Sequence, residues 1–268
     1  MLGLLDKTPV SARIAAAAAI RVAKEAKAKK VASIVHGAGI GGLGAREAAQ
    51  ATVEGALLGE YEFEGYKTEN PKSKIEELVI VEKDKKKAKI MEEGVKLGEI
   101  LAGAENRARD LVNAPANKVT PTYLANYAKK MAREAGLKCE ILDPKEEGME
   151  AIWAVAKGSR EPAKVIVLEK QTTASPSTSL GASSKRKAER IALIGKGITF
   201  DSGGISLKPS KKLWEMKTDM AGAAAVIETM RAIAQLEIKK SPAPKSGRFM
   251  AQLGSFFLPP CSAETWSS

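Results

Sequence analysis

The feature that most constrains the fold is an alternation along the chain. Stretches with apolar residues at helical spacing are separated by short apolar runs of strand type. That alternation predicts an α/β architecture. Thr8-Pro9 and Thr120-Pro121 each read as an N-cap followed by proline at the first helical position. The first predicts a helix to about Lys29, the second a helix to about Glu134 with Gly136 as its stop. Val31 to His36 reads as a strand, 45–58 as a helix, Tyr61 to Tyr66 as a strand or turn, and Ile75 to Glu82 as a strand. From Lys85 onward, Ile90, Leu97, Leu101, Ala104 and Ala108 recur on one helical face. This long helix should end near Asn113-Ala-Pro115, because proline pushes the preceding residue out of the helical region.

Further along, Leu137 to Leu142, Lys164 to Glu169 and a buried run from Ile191 to Ile194 read as strands, and Met220 to Leu236 as a helix. Residues 171–190 are rich in Ser, Thr and Lys and predict a flexible surface insertion. The tail, 239–268, carries Phe249, Phe256 and Phe257 with no clear period. These readings divide the chain in two. Residues 1–108 form a partial N-terminal α/β domain ending in a linker helix. Residues 109–268 form an incomplete catalytic domain, a mixed sheet flanked by helices.

Composition narrows the function classes. Aromatic residues make up only 4% of the chain, so the core must be built from Ala, Val, Ile and Leu. The net charge is +11, which favours acidic partners. However, the lysines are scattered over predicted helices, and aromatic residues do not alternate with them as a base-stacking platform requires. Nucleic acid is therefore not the expected partner. Cys139 and Cys261 form no CxxC pair, and His36 is the single histidine. A zinc site rich in Cys or His is excluded, as is a disulfide framework. No membrane span or signal peptide is evident, which makes the cytoplasm the expected location.

Gly37, Gly39 and Gly42 satisfy G-x-G-x-x-G between a predicted strand and a predicted helix. The motif is short and common, and no strand ends in an acidic residue about twenty positions on. A plain strand-to-helix turn is the favoured reading. A dinucleotide-binding module stays open as an alternative, as does a non-catalytic basic protein that binds nucleic acid.

The chemistry lies in Gly195-Lys-Gly-Ile-Thr-Phe-Asp-Ser-Gly-Gly-Ile-Ser-Leu-Lys-Pro209 and Met216-Lys-Thr-Asp-Met-Ala-Gly222. A strand end, a glycine turn and a helix start converge, carrying Asp201 and Asp219 with Lys196 and Lys208. Carboxylates are hard oxygen ligands for divalent cations. A lysine beside them is either a counter-ion or a ligand through its neutral amine. Deprotonating it at pH 7 costs roughly 4–5 kcal/mol, which a nearby dication can supply. Ordinary ion pairs at strand ends are the plainer alternative.

These two strings closely resemble the leucyl (cytosol) aminopeptidase family of metallopeptidases. Asn113-Ala-Pro-Ala-Asn-Lys-Val-Thr-Pro121 resembles the segment that opens the family's catalytic domain. Ala48-Ala-Gln-Ala-Thr-Val-Glu-Gly-Ala-Leu-Leu-Gly-Glu-Tyr61 is similar to a helix of its N-terminal domain. The resemblance implies an enzyme releasing N-terminal amino acids such as leucine from peptides. It implies two divalent ions, Mn²⁺ or Zn²⁺, with Lys196, Asp201 and Asp219 as metal ligands and Asp201 bridging. It places Lys208 as the catalytic cation on the substrate carbonyl and Met216 at the pocket for the first side chain. It also implies a homo-hexamer, an assembly that a shortened chain puts in doubt. The family's downstream Asn-Thr-Asp-Ala-Glu-Gly-Arg-Leu segment, with further ligands and an arginine, is absent from this sequence. The expectation is therefore a truncated or frameshifted product that holds one metal ion at most and is inactive or impaired.

Overall fold

The computed structural model describes residues 8–39, 42–65, 74–170 and 191–236, and the backbone of 247–253. The expected insertion at 171–190, Tyr66 and the rest of the tail lie outside the described residues. The chain divides into two compact units, 1–110 and 111–268.

The first unit begins with helix α1, Pro9–Glu25. Thr8 caps it: the Thr8 hydroxyl oxygen accepts from the Ser11 amide, and Pro9 stands where an amide proton would have no helical partner. Strand β1 (Lys30–Ser33), helix α2 (Ala45–Glu60), strand β2 (Glu77–Ile80) and helix α3 (Lys85–Asn113) follow. β1 and β2 pair in parallel, Lys30 opposite Glu77 through Ser33 opposite Ile80. Alternate strand residues turn inward, and Val31 and Leu78 pack with Ala23 against Ile20, Ala56 and Ile75.

Helix α2 is wedged by glycines on both sides. A Cβ on Gly55 would lie 2.2 Å from the Arg13 carbonyl oxygen, and one on Gly59 would lie 2.7 Å from Ala17 Cα. A Cβ on Gly94 would lie 2.1 Å from the Arg46 carbonyl oxygen, and one on Gly98 would lie 2.8 Å from that of Gln50. Each pair is four residues apart and so sits on one ridge of its helix, where a missing side chain admits the neighbouring backbone. The same register lets the Asn106 side-chain amide donate to the Leu57 carbonyl.

The second unit contains helix α4 (Pro121–Ala135), strand β3 (Lys138–Leu142), helix α5 (Glu150–Ala156), strands β4 (Lys164–Lys170) and β5 (Ile194–Lys196), helix α6 (Ala221–Gln235) and strand β6 (Gly247–Leu253). Thr120 caps α4, and Gly136 ends it in the left-handed conformation. The sheet runs β3-β4-β6-β5; β3 and β6 are antiparallel to β4, and β5 is parallel to β6. It is a mixed sheet, as expected. Val165, Ile166, Val167 and Leu168 of β4 are all buried, the continuous apolar run of a strand covered on both faces. α4 packs on β3 and β4, α6 packs on β4, β5 and β6, and the two helices touch.

Three elements differ from the sequence reading. The strand expected from Ile191 starts at Ile194, and both isoleucines are exposed, because β5 is a three-residue strand at the sheet edge. α5 was not anticipated; it is seven residues long and carries no side-chain cap. β6 lies within the tail where no period was found, between β4 and β5. Among the described residues, no helix is long and apolar enough to cross a membrane.

A buried polar network joins α4 to α6. The Tyr127 hydroxyl donates to the Glu228 carboxylate at 2.6 Å and accepts from Arg231 at 3.2 Å. Arg231 also pairs with Glu228 at 3.0 Å, and Glu228 is 1% exposed. Burial, then the hydrogen bond and charge of Glu228, push the Tyr127 pKa well above its ordinary value. The unfolded tyrosine ionises near pH 10, so this contribution is intact below about pH 10 and is lost as pH rises above it. Tyr127→Phe should remove that alkaline loss and, by taking a donor from a buried carboxylate, cost about 1–3 kcal/mol at neutral pH; urea unfolding at both pH values measures each part. Gly55→Ala should cost about 1–3 kcal/mol or more by overpacking, while Gly158→Ala, whose methyl meets open space, should stay within about 0.5 kcal/mol in the same assay.

Candidate metal centre

The site is assembled around a backbone contact between β5 and α6. A Cβ on Gly195 would lie 2.3 Å from the Gly222 carbonyl oxygen, and one on Gly222 would lie 2.9 Å from the Lys196 amide nitrogen. With neither side chain present, the strand passes directly over the start of the helix. Lys196 leaves the strand one residue after the contact, and Asp219 stands three residues before it, in the 3-10 turn Leu213–Met220. Their side chains form an ion pair.

The intervening loop folds back on itself. Thr199 and Ser202 are buried, and the Lys208 amide donates to the Ser202 carbonyl at 2.9 Å. Gly203 has φ +90°, and a Cβ there would lie 2.5 Å from the Ser206 carbonyl oxygen, so the turn requires glycine. Asp201 Oδ1 accepts from the Gly203 amide at 2.9 Å, and Oδ2 accepts from Lys208 Nζ at 2.6 Å. Lys208 Nζ also lies 3.1 Å from Met216 Sδ.

The five residues singled out in the sequence thus meet in one neighbourhood. Lys208 touches Asp201 and Met216, and Lys196 touches Asp219. The Lys208 hydrogen bond holds the Asp201 carboxyl below its usual range; partial burial opposes this, and the Gly203 amide and the charges of Lys208 and Lys196 assist. Lys196 therefore acts on both carboxylates. The Asp201 and Asp219 side chains are 29% and 25% exposed, so the pairs are partly screened and contribute only about 0.2–1 kcal/mol each.

The donor set is compatible with a divalent cation. Two carboxylates face ammonium groups, so cationic charge is already accommodated there, and Asp201 is held in the ionised form that ligation requires. Among the described residues, no cluster of three or more His, Cys, Asp or Glu converges on a point. The amine of Lys196 is the third available donor.

Sequence reading passed over Gly195 and Gly222 as packing residues; the run of small residues opening α6 was the available signal. It also passed over Lys217, whose Nζ donates to the Asn113 carbonyl at 2.7 Å and lies 5.7 Å from the Trp214 ring centroid. At the glycine turn, the Gly42 amide donates to the Gly39 carbonyl and the Leu43 amide to the Gly37 carbonyl. Those two amides are already committed and do not offer a phosphate cradle.

Residues 106–241 match the sequence model of the cytosol aminopeptidase family, catalytic domain, and residues 1–70 match that of its N-terminal domain. A probable cytosol aminopeptidase of Solibacter usitatus is 44% identical over 223 residues, 82% of this chain and 43% of the relative. One from Aquifex aeolicus is 44% identical over 197 residues, 72% of this chain and 36% of the relative. Among solved structures, the bottromycin maturation enzyme BotP in complex with Mn aligns with a TM-score of 0.76 and 32% identity, covering 92% of this chain and 48% of that one. A tomato leucine aminopeptidase mutant aligns with a TM-score of 0.73 and 30% identity, covering 96% and 46%. The chain spans less than half the length of each of these proteins. Sequence and fold agree: the chain belongs to the cytosol aminopeptidase family.

Proposed function

We propose that this chain carries a metal-binding and carbonyl-polarising part of a cytoplasmic aminopeptidase that releases N-terminal residues, leucine among them, from peptides. The observation that carries the reading is the single charged cluster in which Asp201 pairs with Lys208 while Lys196 pairs with Asp219. Lys196, Asp201 and Asp219 hold a divalent ion, Mn²⁺ or Zn²⁺. The complex of BotP with Mn supports manganese. When bound, such an ion supplies Lewis acidity toward a carbonyl and toward water.

The protein's own residues have distinct tasks. Asp201 is already ionised and is oriented by the Gly203 amide. For its amine to ligate, Lys196 would give up its proton to solvent, to which its side chain is exposed, leaving Asp219 beside it ionised as a second ligand. Lys208 pairs with Asp201 and presents Nζ to the substrate carbonyl oxygen. Met216, against Lys208, forms one wall for the first side chain of the peptide. Among the described residues these three donors are too few for two dications, so the proposal is for one ion held by them.

Isothermal titration of Mn²⁺ into the purified chain should show binding that Asp201→Asn or Asp219→Asn weakens by about tenfold or more. Binding that is undetectable, or unchanged in both variants, removes the reading. Gly195→Ala should also weaken the ion, because its methyl drives β5 from α6.

A further inference from the structure

The charged cluster leaves one nearby lysine unused. Lys217 sits between Met216 and Asp219 on the 3-10 turn, yet its side chain points to neither carboxylate. Its Nζ donates to the carbonyl of Asn113, the last residue of α3, at 2.7 Å. The same ammonium lies 5.7 Å from the ring centroid of Trp214, on the same turn. Carbonyls in the last turn of a helix have no partner within it and carry the negative end of its dipole, so an ammonium is the apt group there. Proline at 115 turns the chain away immediately after. Inside the turn, the Thr218 hydroxyl donates to the Glu215 carbonyl at 2.8 Å, which ties the residues around Met216 and Lys217 together.

We infer that Lys217 is a positioning residue for the metal centre. Clamped to the Asn113 carbonyl and set against the Trp214 ring, it fixes the turn that delivers Met216 to Lys208 and Asp219 to Lys196. Released, the turn keeps its junction with α6 and the buried Met220, but the part that carries Met216 and Asp219 loses its tie to Asn113, and Asp219 is held less firmly against Lys196. This inference rests on the metal-binding reading above.

The test uses the full chain and Mn²⁺ as the probe. Lys217→Met keeps the aliphatic stem and removes the ammonium; it should weaken Mn²⁺ binding by about tenfold, as loss of an outer-shell support does, with the thermal midpoint of the metal-free chain unmoved. Lys217→Arg, which restores a cation that reaches the carbonyl, should return affinity to within about threefold of the parent. If Lys217→Met fails to fold, Lys217→Gln, uncharged and too short for the carbonyl, takes its place with the same loss expected. Unchanged Mn²⁺ affinity without the ammonium overturns the inference, as does a loss that arginine fails to rescue. Asp219→Asn, run in parallel, separates the two claims. If it loses Mn²⁺ while Lys217→Met does not, only the positioning role falls. If neither variant loses Mn²⁺, the metal-binding reading falls with it.

Discussion

The contact between Gly195 and Gly222 is the constraint on which the site depends. A strand and a helix normally stand apart by the thickness of their side chains. Here a methyl group on Gly195 would overlap the Gly222 carbonyl. The buried residues of β4 and α6 set the planes of sheet and helix, and the two glycines let them close. The charged groups are carried into place by that closure. Partly exposed ion pairs are too weak to impose it.

The second unit holds two ionic clusters of different character. Glu228 is packed away from water, and its hydrogen bond from Tyr127 and its ion pair with Arg231 tie α6 to α4. Lys196, Asp201, Lys208 and Asp219 keep access to solvent and balance two positive charges against two negative ones. The buried cluster is costly to disturb, because its carboxylate has no water to turn to. The open one is screened by solvent, so disturbing it costs the fold little. α6 connects them: its N-terminal end contributes Gly222 to the site, and two turns later Glu228 anchors it.

Features carried by local chemistry were legible in the sequence. Thr8-Pro9 and Thr120-Pro121 mark helix starts because a side-chain cap and a preset φ act within one turn. Gly136 marks a stop for the same kind of reason. The long apolar period after Lys85 gives α3 its extent, Lys85–Asn113. β6 was not legible, because a strand in mid-sheet takes its hydrogen bonds from β4 and β5, which are distant in sequence. The sequence brought Lys196, Asp201, Lys208, Met216 and Asp219 to notice as a group. It did not reveal which lysine meets which aspartate, since that depends on how the loop closes at Gly203 and how β5 lies on α6. Lys217 passed unnoticed because its partner is a backbone carbonyl, which leaves no trace in side-chain spacing.

The glycine steps on either side of α2 carry a mechanical consequence. Arg13 and Ala17 seat against Gly55 and Gly59, and Gly94 and Gly98 seat against Arg46 and Gln50. Three helices thus mesh like gear teeth with a four-residue pitch. Sliding any one of them by less than a full turn would run backbone into backbone, so the stack has few intermediate settings. A side chain added at one step would lever whole helices apart, and the disturbance would appear far from the altered residue.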